Sequence, residues 1–264
     1  MLAYVERGSG TRPVLLLHGF LGSGKNLASL ARRWAEINSA LRFVLPDLAG
    51  HGASPPLGAE VDLARMANDV IALVDALGLA DETLIVGHSL GARVGLAARD
   101  AAPGRFGALV LLDMGATEPP PDASGVGELV AALLAAPARA PDRGSMRAAL
   151  TARGLPAPLA DWLLQSLAPT PSGGVTWRID RAGMATLHAR FGADDLSGAI
   201  ERARTPTLCV RGGRSPFVSD AEAARLTAAR VEVVTLPAAG HYVHVDAQAE
   251  LITLLDGFWR RSVG

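Results

Sequence analysis

The stretch Thr83-Leu84-Ile85-Val86-Gly87-His88-Ser89-Leu90-Gly91 decides the fold of this 264-residue chain. The apolar residues before Gly87 are typical of a strand buried on both faces, and helical spacing follows to about Ala101. The segment around Ser89 fits the pattern G-x-S-x-G, which requires this strand–turn–helix context. Because the strand must turn into a helix within one or two residues, we expect a strained serine whose hydroxyl is exposed at the positive end of the helix.

Short apolar runs alternate with longer amphipathic runs on both sides of this stretch. The predicted strands are 14–18, 43–45, 83–87, 108–112, 207–211 and 231–236, and the predicted helices are 26–37, 61–77, 90–101, 220–229 and 248–261. This alternation predicts right-handed crossovers and a mostly parallel sheet flanked by helices, which is an α/β fold.

The alternation is interrupted between about residues 116 and 204. That segment begins with a Pro-, Ala- and Gly-rich stretch that includes Pro119-Pro120-Pro121. Short helical runs separated by prolines follow at about 126–136, 142–153 and 158–168. We therefore predict a core domain made of residues 1–115 and 205–264, with residues 116–204 inserted as a helical cap.

The composition excludes several classes of protein. The chain has 25 basic and 26 acidic residues and a formal net charge of −1, which argues against a nucleic-acid or anionic-membrane partner. No apolar run approaches the roughly 18–20 residues of a membrane helix, and the start lacks the pattern of a signal peptide. The single cysteine, Cys209, is predicted to be buried in a strand. We expect a cytoplasmic protein, and the sequence indicates no oligomeric state.

A serine hydroxyl is a weak nucleophile and needs a base. Among the six histidines, His241 is the best candidate, because it lies between the last strand and the last helix, at the ligand-binding edge of an open α/β sheet. His244 is the near alternative. His88 is predicted to be structural, and His51 is predicted to fix a loop. For the oxyanion, the predicted donors are the N–H groups of Leu90, directly after the serine, and of Phe20, in the loop after the first long strand.

These motifs resemble the α/β-hydrolase superfamily over essentially the whole chain. The resemblance is carried by His18-Gly19-Phe20, Asp47-Leu48-Ala49-Gly50-His51-Gly52-Ala53-Ser54, the serine turn and Gly240-His241. It implies the order Ser…Asp…His along the chain. It also implies a seven-stranded sheet, because only residues 2–7 precede the run 14–18 and the first of the usual eight strands is expected to be absent.

The acid departs from the commonest pattern of that superfamily. In many relatives it follows the strand predicted at 207–211, but the expected position here holds Pro216. Two replacements are open. Asp113 ends the strand beside the serine strand, and Asp220 has the sequence context of a helix N-terminus. We favour Asp113 on its predicted place at the sheet edge.

The earlier acid narrows the resemblance to YbfF-type esterases and thioesterases and their mitochondrial counterparts. It is supported by His18–Asn26, which reads His-Gly-x-x-Gly-Ser-x-x-Asn, and by the Gly-Gly-x-Ser-x-Phe-Val loop 212–218. The resemblance implies hydrolysis of small acyl esters or acyl thioesters through an acyl-enzyme on Ser89, with no metal or cofactor. In the cap, Trp162 and Trp177 are candidates for an apolar acyl pocket, and both could equally well only hold the cap together.

Two other functions compete. A cofactor-free haloperoxidase, or a carbon–carbon bond hydrolase or lyase, would use the same three residues. A nucleotide binder is the more remote alternative, since Gly19–Asn26 nearly fits the phosphate-loop pattern G-x-x-x-x-G-K-[ST]. The only lysine, Lys25, falls at the lysine position, but Asn26 replaces the hydroxyl residue that would hold Mg²⁺.

Overall fold

A seven-stranded sheet forms the centre of the protein. In this computed structural model, which describes residues 1–58, 62–117, 126–190 and 194–264, the strand order is β1-β3-β2-β4-β5-β9-β10. All neighbours pair in parallel except β1, which runs antiparallel to β3. The strands of this sheet are β1 (Tyr4–Arg7), β2 (Arg12–Leu17), β3 (Leu41–Pro46), β4 (Leu84–His88), β5 (Ala108–Leu112), β9 (Thr207–Gly212) and β10 (Glu232–Leu236).

Helices cover both faces of this sheet. They are α1 (Ala28–Ile37), α2 (Leu63–Ala76), α3 (Leu90–Ala101), α9 (Asp220–Ala228), α10 (Val243–Asp246) and α11 (Gln248–Ser262). Successive residues of a strand point to opposite faces, so Leu15 and Leu17 pack with α2 and α3, whereas Val14 and Leu16 pack with α1 and α11. This two-sided burial explains why the strands have continuous apolar sequences.

The predicted α/β architecture is confirmed, including the number of strands in the sheet. The predicted ranges 90–101 and 108–112 coincide with α3 and β5, and the other core elements differ by a few residues at their ends. Cys209 lies in β9 with no exposed surface, as predicted, and burial raises the pKa of its thiol to about 12.

The inserted segment, residues 116–204, joins β5 to β9. Its helices are α4 (Val126–Ala135), α5 (Arg143–Thr151), α6 (Ala157–Leu163), α7 (Arg181–Arg190) and α8 (Ser197–Arg202). It also contains a small antiparallel sheet of order β6-β8-β7, formed by β6 (Arg139–Ala140), β7 (Leu167–Pro169) and β8 (Val175–Trp177). The proline-rich residues 119–121 lie outside the described residues.

The sequence predicted helices in this segment but not its small sheet. The predicted helix 158–168 ends as a 3₁₀ turn, Leu164–Ser166, and then continues as β7. Gly173 and Gly174, both with φ of 85°, allow the turn that returns the chain from β7 to β8. The strands span only two or three residues each, too few for a period-two pattern to show in the sequence.

Two buried side chains of the core hold the start of the inserted segment. Arg93, on α3, donates to the carbonyl oxygens of Ala116 and Thr117, and also to that of Asp194 near the end of the segment. Glu222, on α9, accepts hydrogen bonds from the N–H groups of Ala116 and Thr117. The junction is thus tied to the helix that begins directly after Ser89.

Candidate active site

Ser89 lies at the sharp turn between β4 and α3. Its backbone has φ of 53° and ψ of −115°, a region that residues other than glycine rarely adopt. A side chain at Gly91 would lie 2.7 Å from the carbonyl oxygen of His18, and one at Gly87 would lie 2.5 Å from the backbone nitrogen of Ala92. Glycine at these two positions lets α3 approach both β4 and the end of β2 this closely.

Strand register places Ser89 and Asp113 at the same edge of the sheet. His88 pairs with Leu112, and the Ser89 N–H donates to the carbonyl oxygen of Leu112 at 3.1 Å. Asp113 follows directly, also with a positive φ, of 51°. Both residues therefore lie at the carboxyl ends of parallel strands, where ligands bind in open α/β sheets.

Asp113 and His241 are in direct contact. The Oδ2 atom of Asp113 lies 2.7 Å from Nδ1 of His241, and the aspartate has no exposed surface. Its carboxylate also accepts hydrogen bonds from the Gly212 N–H, at 2.8 Å, and from the Ser215 hydroxyl. A carboxylate beside Nδ1 holds the proton on that nitrogen, which leaves Nε2 of the neutral ring free to accept a proton.

Two further residues fix the His241 ring and backbone, and sequence reasoning missed both contacts. The Phe217 ring stacks on the imidazole, with ring centroids 3.9 Å apart. Nε2–H of His88 donates to the His241 carbonyl oxygen at 2.9 Å. The phenylalanine of the Gly-Gly-x-Ser-x-Phe-Val loop could have indicated the Phe217 stack. Nothing in the local sequence indicates the hydrogen bond from His88, which depends on tertiary structure alone.

The loop after β2 carries Phe20, one of the expected oxyanion donors. The next residue, Leu21, has φ of 57°, and its N–H donates to Nε2 of His51 at 3.1 Å. His51 is itself oriented by the Ala49 carbonyl oxygen, at 2.9 Å from Nδ1. The prediction that His51 fixes a loop is confirmed. Burial lowers its pKa to about 3, which keeps the ring neutral and able to accept this hydrogen bond.

The two expected oxyanion donors lie close to Ser89. Leu90 is the first residue of α3, so its N–H has no carbonyl partner within the helix. Among the described residues, neither the Leu90 N–H nor the Phe20 N–H donates to a protein oxygen. A side chain built at Gly19, next to Phe20, would come within 3.4 Å of the Ser89 Cβ atom.

The remaining candidates lie elsewhere. Asp220 begins α9, has a side chain that is 94% exposed, and pairs with Arg211 at 2.7 Å. His244 is buried on α10 against His88, and desolvation lowers its pKa to about 4. Trp177 donates through Nε1 to the Pro137 carbonyl oxygen at 2.9 Å, within the inserted segment, whereas Trp162 lines a recess together with Lys25 and Arg178.

The loop that resembles a phosphate-binding loop is occupied by an internal carboxylate. Gly24 N–H donates to Oδ1 of Asp47 at 2.8 Å, and Oδ2 of the same side chain accepts from Ala53 N–H. Lys25 belongs to a 3₁₀ helix, Gly24–Leu27. Because Asp47 already accepts the Gly24 N–H, this amide is not available to a phosphate, and the geometry argues against a nucleotide site of the phosphate-loop type.

Comparison with known proteins identifies the family. The model of the alpha/beta hydrolase family matches residues 14–254. The chain belongs to this family. Its fold is that of an esterase from a marine microorganism, with a TM-score of 0.86 over 97% of this chain and 98% of that one, at 22% sequence identity.

Curated members of the alpha/beta hydrolase family place the chain among enzymes of the hydrolase class. Esterase YbfF of Escherichia coli is 27% identical, over 89% of this chain and 87% of its own length. The sn-1-specific diacylglycerol lipase ABHD11 of Mus musculus is 26% identical, over 95% of this chain and 82% of its own length. Within the described ranges, no helix combines the length and the apolar character needed to cross a bilayer.

Proposed function

We propose that the protein is a serine hydrolase that cleaves carboxylic esters, and acyl thioesters, through an acyl-enzyme on Ser89. The observation that carries the proposal is the 2.7 Å contact between Asp113 Oδ2 and His241 Nδ1. It lies at the sheet edge where the strained turn presents Ser89. The esterase and lipase relatives support the same reaction class.

In the first half of the reaction, His241 Nε2 takes the proton of the Ser89 hydroxyl as the oxygen attacks the acyl carbonyl carbon. A tetrahedral intermediate forms. The carbon–oxygen or carbon–sulfur bond of the substrate then breaks, and His241 returns the proton to the departing alcohol or thiol. Asp113 keeps the imidazole in the required tautomer and stabilises its charged form.

In the second half, water takes the place of the serine. His241 removes a proton from the water as its oxygen attacks the acyl-enzyme carbonyl, and the proton returns to Ser89 as the acid leaves. In both halves, the N–H groups of Phe20 and Leu90 stabilise the negative oxygen. Donors of this kind contribute about 3–4 kcal/mol each to barrier lowering in related chemistry.

We assign residues 116–204 as the cap of this site and residues 1–115 and 205–264 as its core. Phe20 supports the assignment, because its ring lies 6.0 Å from that of His188 on α7, so cap and oxyanion loop are in contact. Trp162 is the better candidate for an acyl contact, since the Trp177 indole N–H is held within the cap.

The test is hydrolysis of 4-nitrophenyl esters of increasing acyl length and of acyl thioesters. Wild type should turn over several of them, and Ser89→Ala should lower kcat by at least about 10³-fold. Ser172→Ala, in an exposed turn of the cap, is the matched control and should keep full activity. Lack of ester and thioester turnover by wild type, or full turnover by Ser89→Ala, would overturn the proposal. If wild type turned over neither substrate class, a haloperoxidase or a carbon–carbon bond hydrolase on the same residues would be tested next.

A further inference from the structure

We propose that a recess beside the loop after β2 is a subsite for an anionic group, a carboxylate or a phosphate, carried by the substrate away from its scissile carbonyl. The inference rests on the proposed function and adds a substrate class to it. The recess is open to solvent, has a volume of about 50 Å³ and lies between the core and the cap. It is lined on the core side by Leu21, Gly22, Ser23, Lys25, Asn26, Asp47 and Gly52, and on the cap side by Trp162, Gln165, Ser166 and Arg178.

Two cationic side chains, one from each side, line this recess. Lys25 is the only lysine of the chain, and Arg178 follows β8 in the cap. Among the described residues, neither side chain is in an ion pair or donates a hydrogen bond, although arginines elsewhere, such as Arg42, Arg147 and Arg202, pair with carboxylates. Both charges are therefore available to a ligand that enters the recess.

The backbones that carry these two cations are held in place. Arg178 N–H donates to the Ser166 carbonyl oxygen at 2.8 Å, which joins two of the cap residues that line the recess. On the core side, Ser23 N–H donates to Oδ1 of Asn26 at 2.7 Å.

The one acidic side chain of the recess, Asp47, has its oxygens engaged by backbone N–H groups. Oδ1 accepts from Gly24 and Oδ2 accepts from Ala53, each at 2.8 Å. With Lys25 and Arg178 the recess keeps a net positive charge of one. The amide of Asn26, which accepts through Oδ1, retains its Nδ2 group as a donor to an anion.

The recess begins next to the proposed oxyanion donor. Leu21, which lines it, directly follows Phe20 in the loop pinned by His51. The proposed substrate has its carbonyl at Ser89 and its anionic end in this recess. Trp162 adds an apolar ring to the lining of the recess, where Lys25 and Arg178 would meet the charged end.

Two matched pairs of substrates test the subsite and show whether it binds a phosphate or a carboxylate of the substrate. S-acetyl-4′-phosphopantetheine against S-acetyl-pantetheine varies phosphate on the leaving group, and the mono-4-nitrophenyl ester of glutaric acid against 4-nitrophenyl pentanoate varies carboxylate on the acyl group. We expect wild type to have the higher kcat/KM for the anionic member of at least one pair, and added NaCl to reduce that preference.

In Lys25→Gln and in Arg178→Gln, the ratio of kcat/KM for the anionic substrate to that for the neutral one should fall about tenfold. Arg143→Gln, an exposed cap arginine outside the recess, should keep the ratio.

Calorimetric titration of wild type and Lys25→Gln with glutarate and with inorganic pyrophosphate gives a readout that does not depend on turnover. Binding of either anion that weakens in the variant supports the subsite even where no ester is hydrolysed. The subsite would be overturned if wild type bound neither anion and the kinetics also showed no anion preference. That kinetic result would be equal kcat/KM within both substrate pairs, or a ratio unchanged in both variants. Failure of the ester panel with retained anion binding would count against the proposed reaction and not against the subsite.

Discussion

The rings of Phe217 and His241 lie nearly parallel, with an interplanar angle of 18° and centroids 3.9 Å apart. Phe217 thus covers one face of the proposed base while Asp113 holds its Nδ1 edge. Stacking on a buried ring restricts rotation of the imidazole and keeps water from that face.

Phe217→Ala should therefore impair the chemical step more than substrate binding. We expect kcat to fall about tenfold, equivalent to about 1.4 kcal/mol of barrier, with KM little changed. Steady-state kinetics on one 4-nitrophenyl ester measure both constants. Phe217→Tyr keeps the aromatic ring and should retain most of the activity. A rise in KM at constant kcat would instead place Phe217 in substrate binding.

The choice between the two candidate acids can be tested with a pair of isosteric substitutions. Asp113→Asn removes the charge beside His241 Nδ1 and favours the wrong tautomer, so kcat should fall by about 10³–10⁴-fold. Asp220→Asn alters an exposed ion pair with Arg211 and should change kcat by less than about twofold. If Asp220→Asn were the damaging substitution, Asp113 would not be the acid.

Gly91→Ala tests the steric basis of the serine turn. The added methyl group would lie 2.6 Å from the carbonyl carbon of Leu17, against backbone that cannot move without shifting β2. We expect the free energy of unfolding to fall by at least about 2 kcal/mol, measured by urea denaturation. Gly127→Ala, in α4, meets only His188 at 3.8 Å and serves as the control. It should be neutral or stabilising by up to about 1 kcal/mol.

Buried neutral histidines should make the protein less stable in mild acid. Desolvation lowers the pKa of His18 to about 4, of His51 to about 3 and of His244 to about 4, and lowers that of His88 well below 6.5. As the pH falls, the unfolded chain therefore binds protons before the folded chain does. The contribution of these histidines to the free energy of unfolding is complete above about pH 6.5 and is lost as the pH drops toward about 4. Each group contributes up to about 1.4 kcal/mol per pH unit in that range.

Urea denaturation of wild type between pH 7.5 and pH 5 measures this dependence. His51→Gln removes one of the titrating groups, and its unfolding free energy should depend less steeply on pH than that of wild type. Parallel pH profiles for the two proteins would show that His51 is not buried as a neutral ring.

Local sequence was sufficient to predict the serine turn, because its glycines, strand and helix are neighbours along the chain. The contact of Asp113 with His241 spans 128 positions and requires β5 to pair with β9 across the whole insertion. Topology rules could anticipate that both residues reach one edge of the sheet, and strand register then brings the two side chains together.

Other features required the folded structure. The Phe217 stack and the Ser215 hydrogen bond to Asp113 depend on the conformation of the loop after β9, which has no periodic signal. The small sheet of β6, β7 and β8 was missed because its strands span only two or three residues each. The recess at Lys25 is lined by residues 21–52 and 162–178, which are far apart in sequence, so its lining could not be predicted although Lys25 stood out as the only lysine.

Covalent labelling of Ser89 tests the central claim most directly. Wild type incubated with a fluorophosphonate should gain one phosphonyl group, and peptide mass spectrometry should place it on Ser89. Asp113→Asn should react much more slowly, and Ser89→Ala should not react. Labelling at another residue, or ester turnover that continues in Ser89→Ala, would contradict an acyl-enzyme mechanism at this serine.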